Sequence, residues 1–176
     1  MLQNPQNLVE QCQKVLPITV WDTVWQGGFP GLLNLPPELI PTTWQSYLQT
    51  YVERDVRLLK NIQDLTEFDR FLRILAALTA QEIFPTQLGR EIGIAHTTAS
   101  RWLNLLAHTY QWHEISPYYN NTIKQISKKS KGVLSDTGMA CQLLRLSSAQ
   151  SVGSYPQLGA LSGDRCFWVC MRGVGH

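Results

Sequence analysis

The chain has 176 residues, 44% of them hydrophobic, and a formal net charge of +2. That length holds one domain or two small ones with a real core, and so small a net charge excludes binding to polyanions by bulk charge alone. No apolar run approaches the roughly 20 residues of a membrane span, and the opening M-L-Q-N-P-Q-N-L lacks the basic and apolar regions of a signal peptide, so a cytoplasmic protein with no membrane partner is expected.

Charge is unevenly spread. Residues 1–53 carry one basic residue (Lys14) and four acids. Residues 54–131 carry eleven basic and seven acidic residues, and the remainder is net +1. The basic excess favours an anionic partner for the middle of the chain. Cys12, Cys141, Cys166 and Cys170 are scattered and read as free thiols of a reducing compartment. Cys166, Cys170 and His176 match no usual zinc spacing, and His96, His108 and His113 form no metal pattern. No Ser-His-Asp spacing suggests a triad. No G-x-x-x-x-G-K-[ST] is present, and Gly27-Gly28-Phe29-Pro30-Gly31 lacks the Lys-Ser/Thr of a phosphate cradle.

In chain order, the first segment is punctuated by Pro17, Gly27, Gly28, Pro30, Gly31, Pro36, Pro37 and Pro41, which predicts an irregular linker over 1–42 around a short apolar piece, Ile18 to Trp25. Trp44, Tyr47, Leu48, Tyr51 and Val52 then fall at i, i+3, i+4, i+7 and i+8, the stripe of a long amphipathic helix reaching toward Leu59. Asp64, with Glu67 three residues on, predicts a capped helix start. Phe68, Phe71, Leu72, Leu75 and Leu78 supply that helix's buried face, to an end near Thr79.

From Phe84 to Leu106 the sequence reads as a helix-turn-helix. Pro85 suits the first helical position. Leu88 and Ile92 share a face, and Gly93 falls where positive φ ends the helix. A second helix starts near Ala95 to Thr97, with Ala99, Leu103 and Leu106 buried. Trp44 and Trp102 read as core. Trp112 to Tyr119 and Ile123 to Val133 predict two strands around the turn Tyr119-Asn120-Asn121-Thr122. Three helices and a β-hairpin make a winged helix. Its expected DNA contacts are His96, Thr97, Thr98, Ser100, Arg101 and Asn104 on the third helix, with Arg101 and Asn104 able to pair bidentately with bases. Lys124, Lys128, Lys129 and Lys131 on the wing, with no acid between Glu114 and Asp136, suit phosphates. The alternatives are nucleic-acid contact without sequence preference and a purely structural or protein-contacting wing with no nucleic acid.

Several segments carry a resemblance. These are G-G-F-P (Gly27 to Pro30), W-x-x-Y-x-x-T-Y-V-E-R-D-V (Trp44 to Val56), N-I-x-D-L (Asn61 to Leu65) and F-x-R-F-L-R-x-L-A (Phe68 to Ala76). They continue with L-G-R-E-I-G-I-A-H-T-T-A-S-R-W-L (Leu88 to Leu103), S-P-Y-Y-N-N (Ser116 to Asn121) and D-T-G-M (Asp136 to Met139). In this order, over roughly Val15 to Leu161, the chain resembles prokaryotic P-loop ATPases of the AAA type that end in a domain of unknown function related to the PD-(D/E)xK nuclease fold. The resemblance implies an ATPase core ahead of G-G-F-P, so ATP and Mg belong to intact relatives. No cofactor, metal or catalytic residue is expected here. After Gly159-Ala160-Leu161 the resemblance implies Phe and the first acidic nuclease position, Glu. Ser162 and Gly163 stand there instead, and Asp164 is displaced from the motif.

The expected fold is therefore mainly α. An irregular linker (1–42) precedes a helical region (43–135) that holds a long amphipathic helix and a winged helix-turn-helix (core 64–135). The start of an incomplete α/β nuclease-like domain (136–161) and a divergent tail (162–176), expected to arise by frameshift or read-through, complete it. The expected function is a non-enzymatic remnant of such an ATPase that contacts DNA through the winged helix. The alternative is a scaffold that meets a protein partner or a second copy through exposed apolar surface.

Overall fold

The structure, a computed structural model, describes residues 20–51, 65–116, 130–157, 159 and 161. Among them are seven helices and a small antiparallel sheet, so the chain is mainly α. Helix α1 (Val20–Gln26) leads through two 3-10 turns, Pro30–Leu32 and Pro37–Leu39, into α2 (Ile40–Thr50). Then come α3 (Leu65–Ala77), β1 (Gln81–Glu82), α4 (Pro85–Ile92), α5 (His96–His108), β2 (Trp112–Ile115), β3 (Lys131–Leu134), α6 (Thr137–Leu143) and α7 (Ala149–Gly153).

Residues 20–42 are more helical than the punctuation predicts. The reason lies in where the prolines fall. Pro30, Pro37 and Pro41 each occupy the first turn of a helical element, where a missing N–H costs nothing and the fixed φ suits the helix. The prolines start elements here. Helix α2 begins at Ile40, with Trp44 buried, Tyr47 and Leu48 half-buried, and Tyr51 buried at its C-terminal cap. The predicted continuation toward Leu59 and the Asp64 cap lie outside the described residues.

Helix α3 ends at Ala77, close to the predicted Thr79. Its stripe of Phe68, Phe71, Leu72 and Leu75 is at most 2% exposed, each large side chain stabilising by roughly 1.5–3 kcal/mol. Trp102 of α5 meets both phenyl rings edge-on at 5.3 Å, as its reading as core requires. Arg70 closes the other side of the α3–α4 contact. Its guanidinium donates to the carbonyls of Glu91 (3.2 Å) and Ile92 (3.5 Å), at the negative end of α4.

Strand β3 is the centre of the sheet, in the order β1-β3-β2. Gln81 and Glu82 pair with Gly132 and Lys131, while Trp112 to Ile115 pair with Leu134 to Lys131. The two-residue β1 escapes sequence reading because it is too short for a period. It is set by Ala80, at φ 60°, whose N–H donates to the Gly132 carbonyl at 2.7 Å. The indole of Trp112 lies across Gly132, in space that any side chain there would occupy. The predicted turn over 119–122 lies outside the described residues.

One hydrophobic cluster runs from Val24 to Leu161. Helix α1 packs on α6 and α7, and α6 also touches α2 and α3. Trp25 Nε1 donates to the Leu146 carbonyl at 2.8 Å, and Arg73 donates to the Leu143 carbonyl at 3.1 Å while holding Asp69 at 2.7 Å. The segments read from sequence as linker and as C-terminal start thus share a core with the helices between them.

Candidate functional site

The turn between α4 and α5 is built by two glycines. Gly93 sits at φ 90°, and its N–H and that of Ile94 both donate to the Gly89 carbonyl at 2.9 Å. The turn folds back over Gly89, where an added Cβ would lie 2.7 Å from the Ile94 carbonyl oxygen. Gly93 is required for its conformation and Gly89 for space. Helix α5 then starts at His96 after extended Ala95, with no side-chain cap and no acid in its first turn. Ala99, Leu103 and Leu106 point into the core as the spacing predicts.

The opposite face of α5 forms a shallow hollow of about 740 Å³ lined by His96, Thr97, Ser100, Arg101, Asn104, Leu105 and His108. Five of the six α5 residues expected at DNA come together there. Thr98 does not. At 3.6 residues per turn it lies toward the Trp102 side of the helix, and it is half-buried. His108 and Leu105 belong to the hollow although the sequence reading left them out. The i+4 step from Asn104 would have found His108. The His108 Nδ1 donates to the Asn104 carbonyl at 2.6 Å, which fixes the ring and turns Nε2 away from the helix.

Lys131 is exposed on β3. The other three lysines expected at phosphates, Lys124, Lys128 and Lys129, lie outside the described residues. The sheet changes the charge picture that sequence gives. No acid stands between Glu114 and Asp136 along the chain, but Glu82 pairs with Lys131 across β1–β3, and Glu114 pairs with Gly132 across β2–β3. Glu82, opposite Lys131, tempers the positive potential at that lysine.

A second constellation joins motifs distant in sequence. Asp136 caps α6: its Oδ1 accepts from Gly138 N (2.7 Å) and Met139 N (3.4 Å). Its Oδ2 accepts from Gly28 N at 2.8 Å, tying D-T-G-M to G-G-F-P across 108 positions. Trp44 Nε1 donates to the Gln26 carbonyl at 3.2 Å. Gly27, at φ 82°, leaves the space that the Asp136 carboxylate fills, and an added Cβ at Gly138 would sit 2.8 Å from Trp44 Nε1 and closer still to the Gln26 carbonyl. The motifs are spaced as they are because they interlock.

Among the described residues, no three or more His, Cys, Asp or Glu side chains are grouped to hold a metal ion, and no helix is long and apolar enough to cross a membrane. Cys166, Cys170 and His176 lie outside those residues.

These elements define a mainly α protein with a small three-stranded antiparallel sheet. The chain belongs to the family described as a domain of unknown function, DUF8612, which it matches over residues 19–150. It is also similar to two uncharacterized proteins, one from Mycobacterium bovis and one from Mycobacterium tuberculosis. Each is 27% identical over an alignment of 141 residues that covers 79% of this chain. The chain spans about a third (32%) of the length of these curated relatives. No solved structure matches it.

Proposed function

We propose that residues 65–134 are a winged helix that contacts duplex DNA through the α5 hollow and the sheet around Lys131. On this reading the chain is a non-catalytic module of a longer protein of the AAA-type ATPase kind, and α6 and α7 join the module to a nuclease-like part. The observation that carries the reading is the element order α3-β1-α4-α5-β2-β3 with sheet order β1-β3-β2. A winged helix needs this arrangement to present its third helix to a major groove. The exposed His96, Thr97, Arg101 and Asn104 and the uncapped start of α5 supply donors for bases and phosphates.

Binding of a fluorescent duplex to the full chain, followed by anisotropy between 50 and 200 mM salt, tests it. Affinity should fall steeply with salt and weaken when Lys128, Lys129 and Lys131 are replaced by Ala. Absence of binding at the low-salt end refutes it. The scaffold reading is favoured by Val20, Leu33 and Leu39, which are 61%, 60% and 49% exposed. It calls for self-association or a protein partner, with no response to DNA.

A further inference from the structure

We propose that the cleft beside the Gly27–Asp136 seam binds a compact organic cation of the quaternary-ammonium or methylated-amine class. The cleft encloses about 500 Å³ and is lined by Phe29, Trp44, Tyr47 and Tyr110, with Gln111 and Asp136 among its polar groups. Three of its aromatic rings form one wall. Phe29 packs on Tyr47 at 5.0 Å and on Trp44 at 5.6 Å, and Trp44 and Tyr47 meet edge-on at 5.6 Å. Hydrogen bonds brace this wall. Gln111 Nε2 donates to the Tyr47 hydroxyl at 3.1 Å, and Trp44 Nε1 is held by the Gln26 carbonyl.

Tyr110 also lines the cleft. It is 76% exposed, more than any other large hydrophobic side chain among the described residues. Its ring makes no hydrogen bond and no ring contact among those residues. Its backbone lies at φ 58°, a conformation that costs a residue with a Cβ roughly 1–2 kcal/mol. Gly would fill this helix end without strain. A large aromatic held there at a cost, 76% exposed and without a hydrogen bond or ring contact among the described residues, points to a partner outside the chain.

Charge selects the partner. Asp136 is the charged residue lining the cleft, and Arg and Lys are absent from the described lining. Trp44 is 2% exposed and backs the wall, so the accessible rings of the lining are Phe29, Tyr47 and Tyr110. Together with one carboxylate they attract a cation with an apolar skin, through the ring quadrupoles and the negative charge. They disfavour a phosphate or a carboxylate. The cleft is separate from the α5 hollow and does not depend on DNA binding.

Calorimetric titration of the full chain tests this. The probes are choline, its neutral isostere 3,3-dimethyl-1-butanol, and a short peptide bearing trimethyl-lysine. Choline or the peptide should bind saturably and at least about fivefold more tightly than the isostere. A tighter peptide assigns the cation to a protein side chain, and tighter choline assigns it to a free small molecule. Tyr110→Ala should weaken binding by about fivefold or more, while Tyr110→Phe, which keeps the ring, should not. Tyr110 is solvent-exposed, so neither variant threatens the core. Equal affinity for the isostere, no saturable binding of either cation, or an unaffected Tyr110→Ala variant overturns the proposal.

Discussion

The Gly27–Asp136 seam and the outer face of α5 are both rich in polar groups, and they use them in opposite ways. At the seam, polar groups face inward. The Asp136 carboxylate takes three backbone N–H groups, and the indole N–H of Trp44 takes a carbonyl. Residue identity there is dictated by folding. On α5, Arg101, Asn104 and Thr97 are exposed along the hollow, and the helix start lacks a side-chain cap. Folding places few demands on those side chains. Substitution at the seam should therefore read out as stability, and substitution on α5 as binding.

The sharpest way to break that contrast is Gly138→Ala. The new methyl would press on the Gln26 carbonyl and the Trp44 indole, neither of which can swing away. A loss of about 3 kcal/mol or more in urea unfolding is expected, at the upper end of overpacking costs. Asp136→Ala comes next. It leaves the N–H groups of Gly28, Gly138 and Met139 without their acceptor, and a loss of about 1–3 kcal/mol is expected by the same measurement. Arg101→Ala should do the reverse. Unfolding should shift by less than about 0.5 kcal/mol, while affinity for duplex DNA falls roughly tenfold in an anisotropy titration. Lys131→Ala is expected to do least, reducing the slope of log affinity against log salt by about 1, with Glu82 opposite it tempering even that.

The same contrast explains what could be read from sequence. Pro85, Gly93 and the buried Ala99, Leu103 and Leu106 obey local rules of helix starts, helix ends and periodicity, and the structure places them as those rules require. The stripe of α3 was legible for the same reason. Gly27, Gly89, Gly132 and Gly138 were not. Their necessity comes from neighbours distant in sequence or folded back through space, such as Asp136 against Gly27. The prolines of residues 30–41 misled, because a proline breaks a helix in its middle and starts one at its first turn, and sequence alone does not say which. On α5, periodicity located the exposed face but not its edge. Thr98 sits off the hollow and His108 within it, and neither position follows from the spacing of buried residues alone.

The measurement that bears most directly on the account is an amide chemical-shift titration of the full chain with a short duplex at low salt. Shifts are expected at residues 96–108 and around Lys131, with Gly27, Gly28 and Gly138 unmoved. Shifts confined to the seam and its cleft, or none at all at concentrations that saturate an ordinary non-specific DNA binder, would contradict it.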